Sequence, residues 1–227
     1  MKRMSVTAAA VLVGGLGCVS DNSLEPVSVP EVYRVPRRSV APPRPLPPAV
    51  ETRRTVPHFA DSDAAWFPPG RIAAQRWRTI VIHHSATARG SATQFDKNHR
   101  EQNGWDELGY HFVIGNGAGS PDGLVEVGSR WTKQKHGAHC KTAGNYYNEH
   151  GIGICLVGDF SRSRPTPRQM ASLDRLVRFL CSVTRIPPSA VTTHGEVTRR
   201  TECPGRNFPV LAFRRSLVTP VAASSLP

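Results

Sequence analysis

Two short runs constrain this chain more than anything else in it. "RTIVIHHSAT" (residues 78–87) is a β-branched, apolar segment with a turn-like end, and "GIGICLVG" (151–158) is apolar almost throughout. A strand with one wet face alternates apolar and polar residues, whereas a strand covered on both faces reads as a continuous apolar run. Covering both faces requires helices, and the sequence supplies them. Ser91 caps an expected helix through about Gln102. A second starts at Thr166, where "TPRQ" offers an N-cap, proline at the first helical position and Gln169 to complete a capping box. Its Met170, Leu173, Leu176, Val177 and Leu180 fall on one face. Further strands are expected at "GYHFVIG" (109–115), "GLVEVG" (123–128) and "AVTTH" (190–194), and a last helix in "FPVLAFRRSL" (208–217). Strands and helices alternate without an internal repeat. The expected class is therefore α/β, a single domain with a mixed central β-sheet flanked by helices.

The N-terminal third reads differently. Lys2 and Arg3 precede the apolar stretch "MSVTAAAVLVGGLG", which is too short to span a bilayer and has the flanks of an export signal. Gly15-Leu16-Gly17-Cys18 resembles a lipobox, so residues 1–18 are expected to be a lipoprotein-like signal with Cys18 as the lipidated residue; ordinary secretion is the alternative. Residues 19–70 hold Pro26, Pro30, Pro36, Pro42, Pro43, Pro45, Pro47 and Pro48 and read as a Pro-rich flexible tether, or as a ligand for a partner domain. The folded domain is expected over 71–215 and a disordered tail over 216–227. The expected location is outside the cytoplasm, in the cell envelope, with a membrane reached through the lipid anchor.

Formal net charge is +12, and from Arg71 onward 21 basic residues face 11 acidic ones. Such a surplus favours anionic partners. Aromatic residues do not interleave with Arg and Lys as a stacking surface for nucleic acid does, so no nucleic-acid partner is expected. An anionic envelope polymer fits better, with solubility alone as the plainer explanation.

The chemistry-bearing residues are His83, at the end of the first core strand, and His194 and Cys203 near the other end of the domain. Two imidazoles and one thiolate are a common zinc set that leaves a position open for water. The spacing itself carries no short-range signature. On the residues alone a metal ligand, a disulfide and an inert buried thiol all stay open for Cys203.

The ordered motifs "IHHSAT", "NGWDELGYHFVIG", "YYNEHGIGICLVGDF", "TPRQM" and "THGEVTRRTECPG" resemble the zinc-dependent N-acetylmuramoyl-L-alanine amidases, including the phage amidase lysozymes and the peptidoglycan recognition proteins. The likeness covers roughly residues 71–209. It implies a peptidoglycan recognition protein-like fold and one zinc ion held by His83, His194 and Cys203. It further implies hydrolysis of the bond joining N-acetylmuramic acid to L-alanine in peptidoglycan or muropeptides, by a monomer. Tyr110 matches the family's catalytic tyrosine, and Thr201 stands where relatives have Thr or Lys. "HGAHC" resembles the phage groove loop and implies a substrate-binding role for His139. The resemblance implies His83 rather than His84 as the ligand, since the first histidine of the pair matches the family's and His84 stands where relatives have Asn or Cys. Adjacent strand residues point to opposite faces, so the two are not expected to share one ion. The chain departs from the pattern in two places. Its segment from His194 to Cys203 is one residue longer than in most relatives, and Cys155 stands where another branch has a catalytic glutamate. Some relatives keep the groove but only bind peptidoglycan; in those the cysteine ligand is typically replaced. Cys140 and Cys181 remain as a pair that an oxidising compartment could join.

Overall fold

The computed structural model describes residues 61–219, all within one compact unit, Arg54–Pro227. The signal, Cys18 and most of the tether lie outside the described residues. Five strands, β1 (Thr79–His84), β2 (Phe112–Ile114), β3 (Val125–Val127), β4 (Gly151–Leu156) and β5 (Val191–Thr193), form one sheet in the order β3-β2-β4-β1-β5. Pairing is parallel except between β2 and β3, so the sheet is mixed as expected. The helices are α1 (Ala92–Asn103), α2 (Ser129–Thr132), α3 (Tyr146–Glu149), α4 (Pro167–Thr184), α5 (His194–Thr198) and α6 (Val210–Val218). None among the described residues is long and apolar enough to cross a membrane.

The period-2 geometry of the strands divides the molecule. Ile80 and Ile82 of β1, Phe112 and Ile114 of β2, and Ile152, Ile154 and Leu156 of β4 point into the larger core, where Leu173, Leu176, Val177 and Leu180 of α4 cover them. Each such aliphatic side chain contributes roughly 1.5–3 kcal/mol when fully buried. The intervening residues face the other way. Val113 and Cys155 pack with Phe95 of α1, Leu108 and Tyr110 in a smaller cluster. The register sets His83 directly beside Cys155, and Cys155 beside Val113, so the candidate ligand stands on this second face.

Both expected domain boundaries shift outward. Asp61–Trp66 forms a 3-10 helix within the stretch read as tether, and Trp66 joins the main core. Its ring lies edge-on to Phe179 at 5.5 Å, and its carbonyl accepts the indole N–H of Trp131 at 2.7 Å. The many nearby prolines masked one buried tryptophan. At the other end α6 continues past residue 215, because Leu217 is buried against the core. Cys140 and Cys181 do not pair; both are free. Cys181 packs against the α4 core, whereas Cys140 follows His139, whose ring lies on Gly153 on the opposite face. The sheet stands between them.

The capping box at α4 forms as read. Thr166 Oγ1 accepts from the Gln169 backbone N–H, and the Gln169 side chain accepts from that of Thr166. Thr166→Ala is expected to cost about 1 kcal/mol, lowering the midpoint of thermal unfolding by about 2–4 °C without altering metal binding. Calorimetry with metal analysis of the same sample checks both.

Candidate metal centre

Three elements converge on one point. β1 carries His83 one residue before its end, and the side chain is almost completely buried. β5 is followed immediately by α5, whose first residue is His194. The chain then returns so that the carbonyl of Cys203 accepts the Gly195 N–H at 2.7 Å. One donor atom each from His83, His194 and Cys203 lie within 4.8 Å of one another. Cys203 Sγ is 3.8 Å from His83 Nδ1 and accepts the backbone N–H of His84 at 3.3 Å. Zinc with bonds of ~2.0–2.3 Å in tetrahedral geometry holds its ligand atoms roughly 3.5 Å apart, so the donor set fits such an ion in both chemistry and spread.

α5 is a short helix, and it is held at both ends of its first turn. Thr193 Oγ1 accepts from Glu196 N, and the Glu196 carboxylate accepts from Thr193 N at 3.1 Å, a second capping box. Arg214 of α6 grips the same carboxylate with two nitrogens. His194 therefore sits on a turn fixed to both β5 and α6.

Electrostatics around the cluster follow from burial. Desolvation pushes His83 and His194 below the ordinary imidazole value, and the neighbouring imidazoles depress His83 further. Both rings are neutral near pH 7, the state a metal requires. Burial pushes the Cys203 thiol up to about 12, partly offset by the His84 N–H. A cation is what makes a thiolate favourable there.

Tyr110 lies beside His83, ring centroids 5.2 Å apart, and packs against the small cluster that holds Cys155. Burial raises its pKa well above the phenol value, so the group is a donor. Thr201 Oγ1 accepts the Cys203 N–H at 3.2 Å, leaving its own O–H proton uncommitted in that contact. His139 is buried; its Nδ1 is 3.1 Å from His83 Nε2 and its Nε2 is 3.2 Å from the Gly151 carbonyl. Both ring nitrogens are thus committed within the protein, while the residue also lines the cleft beside His194. Burial holds His139 down to about 4. His84 turns to the other face, where Nδ1 accepts the Phe160 N–H at 3.1 Å.

The cluster opens on a cleft of about 460 Å³ lined by Trp105, His139, Lys141, His194, Arg200 and Thr201 among others. Sequence reading gave no role to Trp105, Lys141 and Arg200, although Trp105 and Arg200 stand within the motifs "NGWDELGYHFVIG" and "THGEVTRRTECPG". It also missed buried Asn148, whose Oδ1 accepts the backbone N–H groups of both His139 and Cys140.

A mixed five-stranded sheet bearing a His–His–Cys cluster, with His194 lining a cleft, defines an α/β protein with a donor set that could hold a metal ion. Comparison narrows the class. The N-acetylmuramoyl-L-alanine amidase profile matches residues 73–206, and the chain belongs to that family. It is 32% identical over 148 residues to the endolysin of Escherichia phage T7, covering 62% of this chain and 88% of the endolysin. Similarity to the N-acetylmuramoyl-L-alanine amidase of Sus scrofa is 28% over 138 residues, but those span 21% of that protein. For peptidoglycan-recognition protein LB of Drosophila melanogaster it is 27% over 135 residues and 53% of the protein. Among solved structures, the N-acetylmuramoyl-L-alanine amidase LysC from Clostridium intestinale superposes with a TM-score of 0.54 at 30% identity, covering 66% of this chain and 92% of LysC.

The Glu196 cap gives a pH-dependent prediction. Burial raises this carboxyl, but hydrogen bonds from Arg214 and Thr193 outweigh it, and its folded pKa lies below 4.5. Its contribution is fully present above the ordinary value and is lost as pH falls through the folded one. Glu196→Ala should cost about 1–2 kcal/mol at neutral pH, from cap and partly exposed ion pair together. The gap to the parent should narrow at pH 3–4 in urea titrations.

Proposed function

We propose that the folded domain is a zinc-dependent amidase that hydrolyses the bond between N-acetylmuramic acid and L-alanine in peptidoglycan or its muropeptide fragments. The observation that carries this reading is the convergence of His83, His194 and Cys203 donors beside an open cleft in an amidase-family fold. The retained cysteine favours catalysis over binding alone. When bound, zinc supplies Lewis-acid polarisation of the scissile carbonyl and lowers the pKa of a water.

The chain's own residues do the rest. His83 and His194 present neutral imidazoles, and the His84 N–H stabilises the Cys203 thiolate. Tyr110, held in its protonated form by burial, stands beside His83 with an O–H to donate. A developing oxyanion is a far better acceptor than the ground-state carbonyl, so a donor placed there favours the transition state over the ground state. Thr201 offers a second hydroxyl from the cleft wall. Lys141 and Arg200, exposed on the same wall, suit the carboxylates of a peptide stem. Export, a lipid anchor on Cys18 and a monomeric state belong to the same proposal; they rest on the sequence.

Cys203→Ser is expected to lose both bound zinc and cleavage, measured by metal analysis and by mass spectrometry of products from a defined muropeptide, with and without chelator. Tyr110→Phe should keep zinc and lose turnover by about a hundredfold or more. Near-normal turnover in that variant would return Tyr110 to a packing role. For the anchor, mass spectrometry of the native N-terminus is expected to find a lipid-bearing residue 18; an unmodified start beyond it would make the protein freely secreted.

A further inference from the structure

We infer that His139 is a positioning residue that fixes the tautomer of His83, since its Nδ1 meets His83 Nε2 at 3.1 Å while its Nε2 meets the Gly151 carbonyl at 3.2 Å. The hydrogen-bond inventory forces the sequence of protons. A backbone carbonyl only accepts, so His139 Nε2 carries the hydrogen, and in a neutral imidazole Nδ1 is then the acceptor. His83 Nε2 must therefore donate to it. That leaves the His83 lone pair on Nδ1, the nitrogen 3.8 Å from Cys203 Sγ and directed into the metal cluster. One backbone carbonyl thus selects, through two rings, which nitrogen of His83 is free to bind a cation.

The position of His139 is built by its surroundings. A β-carbon on Gly153 would approach the His139 Cδ2 to 2.4 Å, and one on Gly137 would also come within 2.4 Å of that atom. Two glycines thus leave a slot for the ring. His111 packs edge-on against it at 5.7 Å, itself pinned by accepting Gly153 N–H and by its contact with the Lys135 carbonyl. Asn148 Oδ1 holds the His139 backbone N–H at 2.8 Å. Glycine at 153 in a buried strand is accordingly a mark of close approach. Partners of this kind orient metal-binding imidazoles, and losing one typically weakens metal affinity about 10–100-fold.

The purpose assigned here rests on the zinc reading of the site, whereas the tautomers do not, and the test separates the two. Nitrogen NMR of the imidazoles in the metal-free full chain near pH 7 should show His83 and His139 both protonated on Nε2. A hydrogen on His83 Nδ1 would overturn the inference without any variant being made. In chelator competition, His139→Leu, which removes the acceptor, should weaken zinc binding about 10–100-fold. His139→Asn, whose Oδ1 can stand where Nδ1 stood, should recover most of that loss. Equal damage in Asn and Leu variants that unfold as cooperatively as the parent, or no damage in Leu, would also overturn it. Correct tautomers and the expected affinity ranking without muropeptide cleavage would refute the amidase reading and leave this inference standing.

Discussion

The parallel ladder between β1 and β4 is the constraint on which the site depends. It places His83 beside Cys155 in a part of the sheet that water does not reach, with helices or loops over both faces. A polar ring in that setting is costly unless each nitrogen has a partner. The structure meets the requirement by adding further imidazoles: His139 serves His83, and His111 packs on His139 while accepting a hydrogen bond from the β4 backbone. Burial lowers the pKa of all three. A cluster of this kind is neutral and buried, and it turns one lone pair of His83 toward Cys203 and His194.

Rigidity also comes from spreading the three donors over separate supports. His83 belongs to a central strand, His194 to the first turn of a helix whose cap is tied to α6 through Arg214, and Cys203 to a loop fixed through Gly195 and His84. No one local movement displaces all three. Between His194 and Cys203 the short helix ends at Thr198, and the residues that follow place Arg200 and Thr201 on the cleft wall.

Much of this was legible in the sequence for identifiable reasons. Continuous apolar runs marked β1 and β4, and local capping chemistry marked α1 and α4 to within about one residue. His83, His194 and Cys203 were legible through ordered motifs, not spacing. What escaped was tertiary. Trp66 sits among prolines and is drawn into the core by Trp131 and Phe179, partners more than sixty residues away in sequence. Asn148 looks like any loop asparagine until its amide is seen gathering two backbone N–H groups. The second capping box, Thr193 to Glu196, does have a local signature; it was hidden because the same residues end a strand.

The adjacent histidines show why residue identity alone could not settle the ligand set. His83 and His84 are chemically equivalent, and the alternation of a strand sends one ring to each face. His84 is turned toward Phe160, with Asp159 4.0 Å from its Nδ1, so its ring is separated from the cluster by the strand's own backbone. It still contributes there, through its main-chain N–H to Cys203 Sγ. That contribution is independent of its side chain, since every residue except proline carries the same donor. The strand end thus supplies an imidazole from one residue and a thiolate-stabilising dipole from the next. A substitution at 84 therefore acts on the contacts with Phe160, while one at 83 removes a donor atom from the candidate metal-holding cluster.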